Sequence, residues 1–348
     1  MNKQDQQSGD NSTNIQATQL VINNGPTYAE VRDVALDVFR ANFYNLAGEA
    51  RDIARARAEE ITLEFLKKLE TDNPSALSHA KDPSFQQALF IVQKEYAITG
   101  DKELGNLLVD LLVDRSKHEQ RSMLQIVLNE SLKIAPKLTT DQLATLAITF
   151  LFKYTQNFGL GNHEKLGEYF DQNILPFVDK LSNSESSFQH LLFCSCGMII
   201  PQGFRLEQIL TITYRGLFFK GFEAAEIVQR AIAIGQDERF FVPCLNDLSK
   251  LQIKALGKGD LQRTLDLNSV SLDDRTKINI LFDEAQIMSD EEVINLIVSL
   301  RPYMEDAFSR WNSSAIKNFG LTSVGMAIGH ANIKRLTGEI TDLSIWIN

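Results

Sequence analysis

Apolar residues along this chain recur at intervals of three and four, and each such run opens on a recognisable helix start. Thr27 with Glu30, Ser116 with Glu119, Thr139 with Gln142, and Ser289 with Glu292 all have capping-box spacing. In that motif the hydroxyl accepts from the third helical amide, and the acid or amide side chain reaches back to the cap. Asp82-Pro83 adds an acidic N-cap followed by a proline at the first helical position, where its missing N–H is not needed. Thr27 leads to Val31, Val34, Ala35, Val38 and Phe39; Thr139 leads to Leu143, Leu146, Ala147, Phe150, Leu151 and Tyr154. Ser289 leads to Val293, Leu296, Ile297 and Leu300. Stripes of this kind must be covered by other helices. The fold class expected is mainly α: a multi-helix bundle or irregular α-solenoid, with a short N-terminal β segment and a C-terminal helix–strand end in winged-helix-like order.

The run "GEARDIARARAEEITLEFLKKLE" carries a narrower stripe of Ala54, Ala58, Ile61, Phe65 and Leu69, small at its beginning and large at its end. Glu64 and Lys68 form a favourably oriented i, i+4 pair, and a hairpin with the Val31–Phe39 run is preferred to a neighbour from another chain. Starts at Ser116, Thr139, Asn162 and Ser184 fall about 23 residues apart, which suits stacked antiparallel helices. The segments share no residue-level similarity, so a bundle stays open. After Ala255, "LGKGDLQRTLDLNSVSLDDRTK" has weaker periodicity and reads as a linker or domain edge. The chain is divided accordingly into a β or assembly segment (1–24), a helical domain (25–257) and a C-terminal helical domain (258–348). In the last, Thr322 caps a helix that Gly338 ends, and "DLSIWI" reads as a strand with Leu343, Ile345 and Ile347 on one side.

Composition narrows the classes. Hydrophobic residues at 44% and charged residues at 23% are ordinary for a soluble globular chain. A net charge of −10 repels phosphate backbones and anionic lipids, and no basic patch stands out, so nucleic acid is a lesser expectation. "MNKQDQQSGD" has no apolar region of the signal-peptide kind, and "LLFCSCGMII" stops at Pro201, too short to span a bilayer. A cytoplasmic protein with no membrane partner is expected.

The opening "SGDNSTNIQATQLVINN" breaks the helical texture. Gly9, Asp10 and Asn11 suit a corner, and β-branched and apolar residues then alternate with polar ones. A single strand needs pairing. Residues 1–8 read as disordered; for residues 14–23 the alternatives are disorder, pairing with "DLSIWI", or pairing between copies of the chain, which is preferred. The oligomerisation residues expected are Asn14, Ile15, Ala17, Leu20 and Ile22.

"SGDNSTNIQA", "NNGPTYAEVRDVALDVFRANF" and the ending "LTSVGMAIGHANIKRLTG…DLSIWI" together resemble an uncharacterised family of bacterial proteins. The Gly9-Asp10-Asn11-Ser12 start is similar to N-terminal segments of several bacterial proteins, some from mobile-element or phage-defence settings. The resemblance implies a bacterial cytoplasmic origin and carries over no catalytic residue.

Candidate chemistry is sparse. His190, Cys194 and Cys196 read H-x3-C-x-C, but on a helix the first two share a face while Cys196 points away, and the apolar setting favours structural thiols. "HEKLG" at His163 lacks the second histidine of a zinc helix, and "GLGN" (159–162) and "GKGD" (257–260) lack the Lys-Ser/Thr of a phosphate loop. The other histidines, His79, His118 and His330, stand beside no acid and nucleophile. Asp283, Glu284, Asp290, Glu291 and Glu292 flank a helix start and read as a solvated face. Gly325-x-x-x-Gly329 marks close helix packing in a soluble protein. No catalytic, cofactor or metal residue is assigned. The leading expectation is a non-catalytic, self-associating helical protein with an assembly or scaffold role, a homo-oligomer that could take a protein partner. The alternatives are a regulatory or defence component that senses a partner or nucleic acid through its C-terminal region, and an enzyme with a composite site.

Overall fold

The computed structural model describes residues 27–42, 48–79, 81–118, 120–338 and 341–347. Within them, sixteen α-helical segments and two small two-stranded sheets make a mainly α protein. The starts read from sequence rest on the bonds that define them. Gln142 N donates to Thr139 Oγ1 (3.4 Å) and Thr139 N to Gln142 Oε1 (3.0 Å), and Ser289 with Glu292 and Thr27 with Glu30 do the same. Asp82 Oδ1 accepts from Ser84 N at 2.9 Å and Phe85 N at 3.1 Å. Ser116 departs from expectation: it is the last residue of the Lys102–Ser116 helix, and its hydroxyl donates to Val113 O (2.6 Å). The buried stripe of Leu104, Leu107, Leu108, Leu111 and Leu112 carries that helix through Ser116, and the next one, Met123–Ile134, starts instead at Ser122.

The Glu49–Asp72 helix buries Ala54, Ala58, Ile61, Phe65 and Leu69 against the helices Tyr28–Asn42 and Pro83–Thr99 of the same chain. Lys68 does not pair with Glu64: it reaches Asp110 on the Lys102–Ser116 helix. Asp110 is buried, and a carboxylate taken out of water needs a cation far more than an exposed glutamate does. The Ser323–Thr337 helix packs on three others at once, Lys102–Ser116, Met123–Ile134 and Thr140–Tyr154. Its glycines make that approach feasible. A Cβ on Gly329 would sit 2.9 Å from the Leu146 carbonyl oxygen.

Buried side chains form two main clusters. The larger takes in Val31 to Phe218 and Val293 to Ile347, with Leu256. The smaller runs from Phe219 to Ala285 around an antiparallel hairpin. With strands numbered along the chain, β1 is Gly197–Ile199, β2 Phe241–Cys244, β3 Asp247–Ile253 and β4 Phe319–Leu321. The hairpin is β2–β3, with Phe241 opposite Ile253, Pro243 opposite Leu251, and an irregularity at Cys244. The stretch expected as a linker is two helices, Lys258–Leu267 and Leu272–Glu284. Leu261 with Leu265, and Ile278 with Leu281 and Phe282, supply helical stripes that the intervening polar residues masked.

"DLSIWI" is not a strand. Leu343–Ile345 is a 3-10 turn, Leu343 and Ile347 are buried, Ile345 faces solvent, and Trp346 Nε1 donates to Tyr154 O (2.8 Å). Burial four residues apart is helical spacing, so the winged-helix-like order has no wing. Among the described residues no helix is long and apolar enough to cross a membrane.

Candidate functional site

The thiol segment, read from sequence as structural, has the geometry of a packed corner. His190 and Cys194 share a face of the Glu185–Phe193 helix and its end, with Cys194 Sγ 3.5 Å from His190 Nε2. His190 Nδ1 lies against the Gln142 side chain at 3.0 to 3.1 Å. Ser195 then takes a positive φ of 55°, and Cys196 Sγ donates to the Cys194 carbonyl oxygen at 3.6 Å. Both thiols are buried, and burial pushes both up, Cys196 to about 12. Protonated thiols at neutral pH are poor nucleophiles and poor metal ligands. Among the described residues no three His, Cys, Asp or Glu side chains group so as to hold a metal ion. The corner is locked from outside, because a Cβ on Gly325 would lie 1.8 Å from the Cys196 carbonyl oxygen.

Directly after this corner the chain enters β1, which pairs antiparallel with β4: Gly197 opposite Leu321, Met198 opposite Gly320, Ile199 opposite Phe319. The far edge of β4 is closed. Lys153 Nζ donates to the carbonyls of Phe319 (2.8 Å), Ile316 (2.9 Å) and Lys317 (3.0 Å), while Leu321 N donates to Tyr154 Oη (2.9 Å). Burial lowers the Lys153 ammonium from its ordinary 10.5 to about 8, even with three carbonyls around it. The far edge of β1 is open. Cys196 O and Ile200 N bond across to β4, so in an antiparallel ladder the backbone groups of Gly197 and Ile199 face the side where, among the described residues, the sheet has no further strand. Large apolar side chains are exposed in this strand and on either side of it in the chain: Phe193 is 83% exposed, Met198 54% and Ile199 50%, with Ile200 and Phe204 also exposed.

A second feature lies where the two apolar clusters meet. The glycine loops at 159–162 and 257–260, far apart in sequence, border one cleft of about 690 Å³ through Phe158, Gly161, Leu256 and Asp260. Its floor is tight: Gly216 N donates to Leu256 O (3.0 Å), and a Cβ on Gly216 would lie 2.0 Å from the Ala255 carbonyl oxygen. His163 takes a structural place nearby, with Nε2 2.9 Å from Leu217 O. Arg239 and Lys254 line the cleft, and the Arg263 guanidinium lies 4.6 Å from the centre of the Phe158 ring. Asp237 holds Arg239, and Asp260 accepts from Leu256 N (3.0 Å). Sequence reasoning missed these cations and the aromatic ring, which come from separate loops without a motif.

The acidic cluster is largely spent on bases: Lys258 pairs with Asp283, Arg230 with Glu284, Arg205 with Asp290 and Lys220 with Glu292. Asn14, Ile15, Ala17, Leu20 and Ile22 lie outside the described residues. A protein-family model carrying the description ":-like" matches residues 25–347. The chain belongs to that family. No curated protein and no solved structure matches it. The open β1 edge and the cleft both fall inside the matched stretch, and the strand-like segment at 14–23 precedes it.

Proposed function

We propose that this protein is a non-catalytic, self-associating helical scaffold of a bacterial cytoplasm, in which the Asn14–Asn23 segment of one copy adds as a strand to the open β1 edge of another. The observation that carries this reading is the asymmetry of the small sheet: Lys153 and Tyr154 close one edge, while among the described residues the other has no strand beside it, and Met198 and Ile199 in β1 and Phe193 just before it are exposed. An exposed apolar strand edge is an aggregation hazard unless a partner covers it, and strand addition is the common way to cover one. Residues 11–24 contain no charged side chain, so in a chain of net charge −10 this segment approaches another copy with the least repulsion. Ile15 with Ala17 and Leu20 with Ile22 give the alternation such a strand needs.

The test is the mass in solution, by size-exclusion chromatography with light scattering, of the full chain, a 1–24 deletion, and the double variant Met198→Asp/Ile199→Asp. The full chain should be oligomeric, and both variants should fall to the monomer with unchanged helical circular dichroism. A monomeric full chain, or variants that keep the parent mass, overturns the proposal.

A further inference from the structure

We infer that the cleft between the two apolar clusters is a binding site for a mononucleotide-like ligand, a planar ring bearing a single phosphate. This goes beyond the scaffold reading and does not depend on it. The volume of about 690 Å³ falls in the range of small-molecule sites, roughly 300–1,000 Å³. The ring half of the ligand is specified by Phe158, which is half exposed at the rim and carries the Arg263 guanidinium 4.6 Å from its ring centre. An aromatic face beside a guanidinium favours a flat, electron-rich ring, because both stack and the cation adds attraction to the π-cloud.

The phosphate half is specified by the cations. Among the described residues neither Lys254 nor Arg263 has a carboxylate partner, unlike Arg239, Lys258, Arg230 and Lys220 around them. Lys254 in the cleft wall, with Arg263 beside the ring of Phe158, favours an anion that neutralises it. The charge balance also sets how much anion is tolerated. In the cleft wall Arg239 and Lys254 stand against Asp260, an excess of a single positive charge, with Asp237 holding Arg239. One phosphate fits that balance, whereas a triphosphate brings repulsion from both carboxylates.

The experiment is isothermal titration calorimetry of the full chain with adenosine monophosphate, adenosine, ribose 5-phosphate and adenosine triphosphate. Saturable binding of the monophosphate is expected, with each of the other three at least about tenfold weaker. Lys254→Ala and Phe158→Ala should each weaken the monophosphate about tenfold or more while circular dichroism stays unchanged. Arg263→Ala serves as the third arm where either variant folds poorly. No heat from the monophosphate at millimolar concentration overturns the inference, as does adenosine or ribose 5-phosphate binding as well as the monophosphate, or folded variants that bind like the parent. Repeating the titration on the 1–24 deletion separates this site from assembly, since the cleft lies wholly within residues 158–264.

Discussion

Replacing Lys153 by Met removes the donor that closes the β4 edge while keeping all but the last atom of the side chain's length. Hydrogen bonds from a charged donor contribute about 1.5–3 kcal/mol each. Three carbonyls lose their donor, a net loss on the order of 5 kcal/mol. Burial of the ammonium, which lowers it from 10.5 to about 8, holds the loss to the low end of that range. The expectation is a destabilisation of about 5 kcal/mol, read as a lower urea midpoint at neutral pH. The pH dependence gives a second check. The folded-state value lies below the unfolded one, so between pH 8 and 10.5 the unfolded chain holds more protons and this group's contribution to stability rises with pH. The gap between the parent and Lys153→Met should therefore widen across that window. A variant as stable as the parent at neutral pH would show that desolvation outweighs the three bonds, and a gap that narrows as pH rises would show that the folded state raises this group instead of lowering it; either result refutes the reasoning.

Two further outcomes follow from packing. Gly325→Ala should cost about 3 kcal/mol in thermal or urea melts, because its Cβ would meet the Cys196 carbonyl oxygen at 1.8 Å. Gly259→Ala, a helical position with nothing within 4 Å, should instead gain about 0.5–1 kcal/mol. Cys194, Cys196 and Cys244 are all buried and free, so none should react with an aromatic disulfide reagent within minutes in the native protein. All three should react once the chain is unfolded, and rapid labelling of native protein would contradict the packed corner.

Features held by bonds within one turn were legible in the sequence. Thr139 with Gln142, Ser289 with Glu292, Asp82 and Thr322 declare their helices because cap and capped amide lie within three residues of each other. Ser116 misled because Ser122, six positions later, carries the same kind of signal with Gln125, and only the depth of the preceding stripe decides between them. Strands β1 and β4 were invisible: each has three residues, and the partner that gives them meaning is remote in sequence. The same holds for the cleft, where Phe158, Arg239, Lys254 and Arg263 are ordinary residues until the fold brings their loops together. Lys68 shows the limit of local pairing rules, since a buried carboxylate on another helix outcompetes an exposed glutamate one turn away.

The position of the Ser323–Thr337 helix has a consequence for how the chain reaches this fold. Its neighbours, Lys102–Ser116, Met123–Ile134 and Thr140–Tyr154, emerge from the ribosome long before it does. Until it arrives, the face of Leu146 and Ala147 that it covers stays uncovered on the nascent chain. Contacts of such high sequence separation are slow to form, and uncovered apolar surface during that delay is what chaperones bind. A ribosome-stalled chain ending before Thr322 is therefore a holding state for the larger core, and substitutions in the last helix act on biogenesis before they act on the finished protein.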